Sequence, residues 1–330
     1  MELLSSLVEA DIARAAAALA QGGLVAFPTE TVYGLGGDAF NVSALARIFE
    51  VKNRPHFDPL IIHIAEIAAL DRLVLWDALE DEAKKTLDML IENFWPGPLT
   101  LVLPKKPELP NLATAGLATA AIRFPACEAA QKLIRLSTGA VAAPSANPFG
   151  CLSPTRAEHV LSQLGDKIDF ILDGGRTDVG LESTVLDISA SPFKILRPGG
   201  LSKERIEALI GPVENSETGE AIESPGQLKS HYAPRTPFCL CHPGELASLP
   251  IASDEGRLYF SSAADSDPRI KVLSPKGDLA EAAANLFDML HELDKLGLRL
   301  IRAEEAPAQG LGVAINDRLR RAAAHIIFKE

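Results

Sequence analysis

Several features that mark common protein classes are scarce in this chain of 330 residues. It contains four cysteines, none of which forms a C-x-x-C pair, and Cys239 and Cys241 alternate along a predicted strand so that both face one side. One side of one strand is a poor start for a zinc site. We therefore expect all four thiols to be reduced and the protein to occupy a reducing compartment.

Positive charge and long apolar runs are also in short supply. The 32 lysines and arginines are outnumbered by 44 acidic residues, and the formal net charge is −12. Such a chain should not bind nucleic acid non-specifically, because phosphate binding needs a cationic surface. No apolar run approaches the ~20 residues of a membrane span, and Glu2, Glu9 and Asp11 stand where a secretory leader has basic residues. We expect a soluble, cytoplasmic protein without membrane contact.

Three familiar catalytic motifs are missing. The sequence contains no P-loop, no G-x-S-x-G nucleophile elbow and no H-E-x-x-H metal helix. Residues 34–39 do match G-x-G-x-x-[GA], and Asp58 lies near the position of a ribose-binding acid. In a dinucleotide fold, however, the first glycine turns directly out of the strand, whereas several residues intervene here. We therefore interpret this match as a glycine-rich turn.

The organisation of the chain changes once along its length. Strand and helix patterns alternate as far as residue 211, and residues 212–235 have the Pro, Glu, Ser and Gly composition of a linker. A second strand and helix pattern fills residues 236–330. Alternation of this kind predicts an α/β fold with parallel or mixed sheets, and the length suggests two domains.

Hydrophobic periodicity predicts the individual elements. Strands are predicted at residues 24–27, 60–64, 99–103, 120–123, 140–143, 170–172, 184–188, 195–197, 238–240, 257–260, 270–273 and 298–302. Helices are predicted at residues 5–21, 42–50, 77–93, 127–137, 154–164, 203–210, 244–249, 278–296 and 312–324. Thr155 with Glu158 fits a capping box, Ser202 fits an N-cap, and residues 28–37 are predicted to form a loop.

Cations follow several predicted elements, and each has two interpretations. Lys52 and Arg54 could grip a polyphosphate or neutralise the carbonyl end of the preceding helix. Arg123 ends a strand, where it could bind a carboxylate with both guanidinium nitrogens or form a surface ion pair. His63, inside an apolar strand, is either a satisfied core residue or a group directed into a crevice.

Hydroxyl and amide groups follow the same strand ends, although serine and threonine are also ordinary capping and turn residues. Taken together, the polar strand-end residues form a cationic and hydroxylic set within an acidic protein. Such a set predicts an anionic ligand larger than one small acid. The residues in it are Thr31, Arg54, His63, Arg123, Ser145, Asn147, Ser183 and Arg197.

In its succession of short motifs, the chain resembles the threonylcarbamoyl-AMP synthase family of YrdC-type proteins, in the two-domain form. Each motif is modest, but their order along nearly the whole chain is specific. The matching segments are PTETVYGLG (28–36), KNRP (52–55), PLIIHI (59–64), PGPLT (96–100), IRFP (122–125), PSAN (144–147), SPT (153–155), STV (183–185), LRPG (196–199), SPG (224–226), HYAP (231–234), GLG (310–312) and NDRL (316–319).

The resemblance implies a fold and a reaction. The fold would be α/β, with a YrdC-like twisted mixed sheet and helices over residues 1–211, a linker or lid over the active site at 212–235, and a smaller Rossmann-like α/β accessory domain at 236–330. The reaction would make threonylcarbamoyl-AMP and pyrophosphate from L-threonine, bicarbonate and ATP. Mg²⁺ would be carried by the nucleotide. The product would serve threonylcarbamoyladenosine modification of tRNA next to the anticodon, through downstream transfer proteins and with at most weak or indirect tRNA contact.

The resemblance also implies site residues, matched motif by motif. Residues expected around threonine and bicarbonate are Thr31, His63, Arg123, Ser145 and Ser183. Residues expected to hold ATP are Lys52, Arg54, Asp58, Thr119, Asn147, Ser153, Arg197 and Tyr232, with Thr155 as an alternative to Ser153. No general base and no metal-binding residue is identified. Asp58 stands where the family more often has Asn, and a carboxylate near a triphosphate is repulsive unless a cation intervenes.

Three other functions are weighed against this one. A non-catalytic RNA-binding module would suit a cationic crevice, but the net charge of −12 and the lack of a basic stripe with aromatic residues argue against it. A related enzyme that uses carbamoyl phosphate usually carries zinc-binding and acylphosphatase modules, which the sequence lacks. A dinucleotide-dependent oxidoreductase is disfavoured by the loop at residues 28–37.

Overall fold

The computed structural model describes residues 1–216, 231–263 and 267–323, and over these residues it contains two β-sheets. The linker motif SPG at 224–226 therefore lies outside the described residues. The strands are β1 Glu2–Ser5, β2 Val25–Phe27, β3 Gly34–Asp38, β4 Ile61–Ile64, β5 Leu99–Pro104, β6 Thr119–Arg123, β7 Ala140–Ala142, β8 Phe170–Asp173, β9 Thr184–Asp187, β10 Lys194–Arg197, β11 Glu214–Asn215, β12 Phe238–Cys241, β13 Glu255–Tyr259, β14 Ile270–Val272 and β15 Leu300–Glu304. The helices are α1 Glu9–Ala20, α2 Val42–Lys52, α3 Leu70–Leu73, α4 Asp81–Phe94, α5 Glu128–Leu136, α6 Ala157–Leu164, α7 Lys203–Ile210, α8 Glu245–Ser248, α9 Leu279–Asp294 and α10 Leu311–Ala323.

The large sheet contains eleven of the described strands in the order β1-β8-β2-β3-β7-β4-β6-β5-β9-β10-β11. It is mixed: β4 and β6 are parallel, as are β5 and β9, whereas β7 is antiparallel to β4 and β5 is antiparallel to β6. Its central strands are buried along their whole length, as their continuous apolar runs predict. We call this sheet with α1–α7 the large-sheet unit.

The small sheet contains four of the described strands, all parallel, in the order β12-β15-β13-β14. Apolar residues of α9 and α10 cover it and form its core, including Leu286, Leu290 and Ile315. Parallel strands with covering helices match the predicted Rossmann-like accessory fold. We call this sheet with α8–α10 the small-sheet unit.

Helical periodicity explains why the helices pack as they do. In α1, Ile12, Ala15, Ala16 and Leu19 are buried at intervals of three and four residues, so that one face packs on the large sheet and α5. Small alanine side chains allow a close approach of helix to sheet. Among the described residues, no helix is both long and apolar enough to cross a bilayer.

Two sequence-based expectations near the N-terminus are wrong. The predicted helix at 5–21 begins only at Glu9, because residues 2–5 form the edge strand β1, paired in parallel with β8. The glycine-rich segment predicted as a loop contains β3, which is antiparallel to β2. Gly36 is needed there because a Cβ would lie 2.8 Å from a ring carbon of Phe27. An antiparallel strand at this position is also unlike the dinucleotide-binding turn, in which the glycines lead directly from a strand into a helix.

Several predicted ends of elements also differ from the structure. The capping box is absent, because Arg156 is the N-cap of α6 and the Thr155 hydroxyl lies 3.4 Å from Nδ1 of His159 instead. Ser202 is the N-cap of α7, as expected, but its side chain makes no capping hydrogen bond. The helix predicted at 77–93 begins at Asp81, and the strand predicted at 298–302 is β15, two residues further on.

The two units meet between α6 and α9. Arg156 donates to both oxygens of Asp288, from Nε at 2.7 Å and from Nη2 at 3.0 Å. Beside this pair, the rings of His159 and His291 stack with centroids 3.8 Å apart and an interplanar angle of 18°. Nε2 of His291 lies 3.1 Å from the carbonyl oxygen of Ser153. Polar contacts therefore join the small-sheet unit to the segment that precedes α6.

Candidate active site

A cavity lies where polar strand ends of the large sheet meet. His63 of β4 and Arg123 at the end of β6 are register partners, Arg197 ends β10, and Ser183 directly precedes β9. The free space is about 40 Å³, enough for a few water molecules and far too little for a nucleotide. The residues that line it are Thr29, Thr31, Val32, Gly34, Arg54, Ile61, His63, Arg123, Ala143, Pro144, Ser145, Glu182, Ser183, Arg197, His231 and Tyr232.

Arg123 is the charged centre of one end of the cavity. Its Nη1 donates to Oγ1 of Thr31 at 2.8 Å, and its Nε donates to the carbonyl of Gly97 at 3.3 Å. Its Nη2 lies 2.7 Å from Oε1 of Glu30, with both side chains at least nine-tenths buried. These two atoms lack hydrogen-bond alignment, so the contact is an ion pair held by charge and proximity. A carboxylate thus already lies against the guanidinium in the free protein.

His63 lies beside this arginine and is buried. Its ring is edge-on to Phe27, and Nδ1 lies 3.3 Å from the carbonyl oxygen of Ile61. Burial, and then the positive charge of Arg123, lowers the pKa of His63 to about 3. The imidazole is therefore neutral at pH 7 and a weak base, which favours an orienting role over proton abstraction.

Hydroxyl groups line the wall between Arg123 and Arg197. Oγ1 of Thr100, the register partner of Arg123, lies 2.7 Å from Oγ of Ser183. Nη2 of Arg197 donates to the carbonyl of Ser183 at 2.8 Å and to its hydroxyl at 3.2 Å. Ser145 follows β7 and lies opposite Gly34 through an isolated bridge. The structure therefore brings all five residues predicted for threonine and bicarbonate to one cavity.

Lys52 and Arg54 flank a tight turn at the end of α2. Asn53 between them has φ of 51°, a left-handed conformation that asparagine tolerates better than most residues. Nζ of Lys52 donates to the carbonyl of Ser145 at 2.6 Å and also to the carbonyl of Asn147. Burial, followed by the neighbouring charge of Arg54, holds the pKa of Lys52 well below its usual value. Lys52 therefore fixes the loop after β7 that carries Ser145 and Asn147.

Arg54 faces the cavity with its charge partly neutralised. Nη2 lies 2.9 Å from Oδ1 of Asp58 and donates to the carbonyl of Pro59 at 2.7 Å. Both side chains of the ion pair are buried. Asp58 stands where the family more often has Asn, and a cation is needed to offset its carboxylate. Arg54, four residues away, is that cation.

Glu182 is a lining residue that the sequence did not single out. One of its carboxylate oxygens accepts a hydrogen bond from Ser153, and the other accepts from Nε of Arg318 at 2.8 Å. Burial alone would raise the pKa of Glu182, but Arg318 and Arg197 outweigh it and lower the pKa, so the carboxylate is ionised. Ser153 therefore reaches the cavity wall through Glu182, whereas Thr155 faces His159.

Tyr232 and His231 close the cavity from the linker side. The peptide N–H of Ala233 donates to the carbonyl of Gly150 at 2.8 Å, which anchors this segment on the large-sheet unit. Tyr232 is buried and has φ of 63°, a strained value for a residue with a side chain. Its ring lies 5.8 Å from that of Phe287. His231 and Tyr232 therefore line the same cavity as Arg54 and Arg197.

Five of the eight residues predicted to hold ATP are not among those that line the cavity: Lys52, Asp58, Thr119, Asn147 and Ser153. Thr119 begins β6 opposite Pro104, four residues and thus roughly 13 Å along the strand from Arg123. The side-chain amide of Asn147 donates to the carbonyls of Pro148 and Cys151, and its oxygen is buried without a partner in the described structure. Nucleotide contact by these residues stays a prediction.

Two family models match the chain. The one described as "Telomere recombination", for the Sua5, YciO and YrdC proteins, matches residues 17–199. The one described as "Threonylcarbamoyl-AMP synthase, C-terminal domain" matches residues 201–324. The chain is also 42% identical over 327 residues to the threonylcarbamoyl-AMP synthase of Pyrococcus abyssi, with 96% of this chain and 94% of the relative covered. The chain belongs to the threonylcarbamoyl-AMP synthase family.

Further members of the threonylcarbamoyl-AMP synthase family agree with this assignment. The enzyme of Bacillus subtilis is 42% identical over 332 residues, with 96% of this chain and 94% of the relative covered. The crystal structure of P. abyssi Sua5 complexed with L-threonine has a TM-score of 0.89 to this chain at 40% identity, covering 98% of this chain and 97% of that one. The predicted family, α/β fold class and synthase function are confirmed.

Sequence reasoning missed four residues at or beside the cavity of this family member: Glu182 and His231 line it, and Glu30 and Arg318 form ion pairs with Arg123 and Glu182. Glu30, Glu182 and His231 lie inside matching motifs or next to one, and Arg318 lies in the NDRL segment near the end of the chain. The only signal for them was the resemblance itself, since their partners are far away in sequence. Among the described residues, no group of three or more His, Cys, Asp and Glu side chains is placed to hold a metal ion.

Proposed function

We propose that this chain joins L-threonine, bicarbonate and ATP into threonylcarbamoyl-AMP and pyrophosphate within the cavity described above. The observation that carries the proposal is the convergence of three buried arginines, Arg54, Arg123 and Arg197, on one small cavity. Buried arginines take carboxylates and phosphates as partners, as Arg123 already does with Glu30 and Arg54 with Asp58. The substrates supply such partners, because threonine carries a carboxylate, bicarbonate is an anion and ATP carries a triphosphate.

The threonine end of the cavity would be centred on Arg123. Glu30 already places a carboxylate 2.7 Å from Nη2 of this arginine, so the guanidinium is oriented for the same chemical group of a substrate. Thr31, Ser145 and Ser183 would bond the hydroxyl and bicarbonate oxygens. His63 would accept or donate one hydrogen bond as a neutral imidazole, because its pKa is about 3.

The ATP end would extend from Arg197 toward Arg54 and Lys52. Support comes from the burial of all three side chains. Lys52 contacts two neutral backbone carbonyls, and Arg54 pairs with the single carboxylate of Asp58. Mg²⁺ would enter with the nucleotide, held by phosphate oxygens, and would neutralise part of its charge. The other residues proposed to hold ATP are Asp58, Thr119, Asn147, Ser153 and Tyr232.

The chemistry needs charge neutralisation more than a protein nucleophile. The threonine amine attacks bicarbonate, whose hydroxyl leaves as water with an amine proton, or it attacks CO₂ and releases one proton; either route gives N-carboxy-threonine. A carboxylate oxygen of this intermediate attacks the α-phosphorus of ATP, an O–P bond forms, and the bond to the bridging oxygen breaks to release pyrophosphate. Because both reactants are anions, Lys52, Arg54 and Arg197 would lower the barrier by offsetting the charge that gathers around the phosphorus. Positioning of threonine by Arg123 would supply much of the remaining rate acceleration.

The product is a mixed anhydride that water hydrolyses, so exclusion of water matters. Tyr232 and His231 fill the mouth of the cavity in the free protein, and we propose that the segment 212–235 opens for ATP and closes over the intermediate. The proposed domains on either side of this segment are residues 1–211 and residues 236–330. Release would pass the product to tRNA threonylcarbamoyl-transfer proteins in the cytoplasm, with little or no direct tRNA contact.

The test is pyrophosphate release from ATP with L-threonine and bicarbonate each present or omitted. Release that requires both substrates supports the proposal. Release without threonine would point to a different acceptor. Absence of release under all conditions, together with salt-sensitive tRNA binding, would replace the proposal with the RNA-binding alternative.

A further inference from the structure

Arg318 of the small-sheet unit reaches the wall of the cavity although it lies on α10. Its side chain is only 1% exposed. Nε donates to Glu182 at 2.8 Å, Nη2 donates to the carbonyl of Pro198 at 3.0 Å, and Nη1 donates to Asp317 at 2.6 Å. Every guanidinium nitrogen therefore has an acceptor, and two of the three acceptors belong to the large-sheet unit.

The contact with Glu182 controls a charge inside the cavity. Glu182 lines the cavity next to Arg197, where the proposed function puts the triphosphate. An ionised carboxylate there repels phosphate unless a cation compensates for it. Arg318 supplies that charge from behind the wall.

The contact with Tyr232 controls the mouth of the same cavity. The guanidinium carbon of Arg318 lies 4.8 Å from the centre of the Tyr232 ring, a cation–π distance. Phe287 of α9 lies on the same ring at 5.8 Å. The small-sheet unit thus holds the strained Tyr232 through one cation and one aromatic side chain.

We propose that Arg318 is a positioning residue for ATP: it neutralises Glu182 in the wall and holds Tyr232 over the mouth. The inference rests on the proposed function and extends it, because it gives the small-sheet unit a defined part in the reaction. Arg318 is not among the residues that line the cavity, so its effect on ATP would pass through these two side chains. In this arrangement the active site is complete only when α10 is docked.

The groups that face Glu182 decide how the loss of ATP affinity in an Arg318 variant should vary with pH. They are Arg318 with Asp317 from α10, Arg197 from β10 and the hydroxyl of Ser153. Without the Arg318 charge, burial favours the neutral form of Glu182. A lower pH should then protonate Glu182 and relieve its repulsion of ATP, which a purely structural loss would not do.

The experiment measures the dissociation constant of ATP by calorimetry, independently of turnover, and the KM for ATP and for L-threonine in pyrophosphate release. The variants are Arg318→Met, Arg318→Met with Glu182→Gln, and Arg257→Met as the matched control. Arg257 is equally buried, at 1% exposure, but lies in β13 among Glu255 and carbonyls of its own unit, away from the cavity.

Arg318→Met should weaken ATP binding by ~10-fold or more at pH 8, with the KM for threonine changed less than ~3-fold. The added Glu182→Gln should restore most of the affinity, and the loss in the single variant should shrink at pH 6. Arg257→Met should leave ATP affinity within ~2-fold of the parent. If Arg318→Met fails to fold, Arg318→Lys, which keeps the charge but not the planar fork, should show a smaller loss that Glu182→Gln again reverses.

The inference would be overturned if a folded Arg318→Met variant bound ATP as tightly as the parent. It would also be overturned if Arg257→Met lost as much ATP affinity and the loss in Arg318→Met changed neither with Glu182→Gln nor with pH. A parent protein that binds ATP but does not release pyrophosphate would refute the proposed function while leaving the binding comparison valid. A parent protein that does not bind ATP would refute both.

Discussion

The stacked pair His159 and His291 should make the protein lose stability in mild acid. Burial, and then the charge that His291 would carry, lowers the pKa of His159 to about 3. Burial lowers the pKa of His291 to about 4. An unfolded histidine has a pKa of about 6.5. Between these limits the unfolded chain binds more protons than the folded one, so the free energy of unfolding falls as the pH falls and is recovered as the pH rises.

The size of the effect follows from the two pKa values. Each histidine contributes a slope of up to ~1.4 kcal/mol per pH unit below its unfolded pKa. At pH 5 this gives about 2 kcal/mol for each histidine, or about 4 kcal/mol for the pair, relative to a protein without them. Domains have free energies of unfolding of roughly 5–15 kcal/mol, so this loss would be a large part of the total. The carboxylate of Asp288 lies 3.7 Å from Nε2 of His159. It is paired with Arg156, so it does not cancel the lowering of the His159 pKa.

The assay is urea unfolding at several pH values between 5 and 7.5 for the parent and for the double variant His159→Gln, His291→Gln. Between pH 7.5 and 5 the parent should lose ~4 kcal/mol more than the variant, whatever their difference at neutral pH. His242→Gln is the control, because the His242 side chain is 87% exposed. Both tryptophans, Trp76 and Trp95, lie in the large-sheet unit, so their fluorescence compared with circular dichroism tests whether the units unfold together. An equal pH dependence in parent and double variant would refute the reasoning.

Three further outcomes are expected. Arg123→Lys should raise the KM for L-threonine by ~10-fold or more in pyrophosphate release, because one ammonium cannot replace a planar fork; an unchanged KM would contradict the assignment. Asp58→Asn should destabilise the free protein by about 3 kcal/mol, because it leaves Arg54 buried and unpaired, and thermal melts should show a larger rise with ATP than in the parent. Tyr232→Ala should raise the ratio of pyrophosphate released to threonylcarbamoyl-AMP recovered, whereas Tyr232→Phe, which keeps the ring, should not.

The buried strands were predictable because their signal is local. Segments such as 60–64 and 99–103 are continuous apolar runs, and the structure contains β4 and β5 there. In contrast, β3 is Gly-Leu-Gly-Gly-Asp, which has almost no side chains to display an alternating pattern. Its strand conformation depends on pairing with β2 and on the close approach of Phe27 to Gly36, which periodicity cannot report.

The cavity was predictable in its cations and hydroxyls but not in its carboxylates. Strand-end residues such as Arg123 and Ser183 could be anticipated because neighbouring strand ends share an edge of the sheet. Glu30 and Glu182 matter through ion pairs that close over sequence separations of 93 and 136 residues, from Glu30 to Arg123 and from Glu182 to Arg318. No local pattern encodes such a pairing, since a charged residue in a loop is ordinarily solvated.

The pairing of β1 with β8 sets an order of events during protein synthesis. Leu3 pairs with Ile171, so the first strand to leave the ribosome has no partner until 168 further residues have been made. At about 10 residues per second this delay is roughly 17 seconds. During that time a short strand that includes Leu3 and Leu4 has an unpaired backbone on both sides, which favours association with chaperones or with other nascent chains. The outermost strand of the large sheet is thus the earliest made and among the last to be paired.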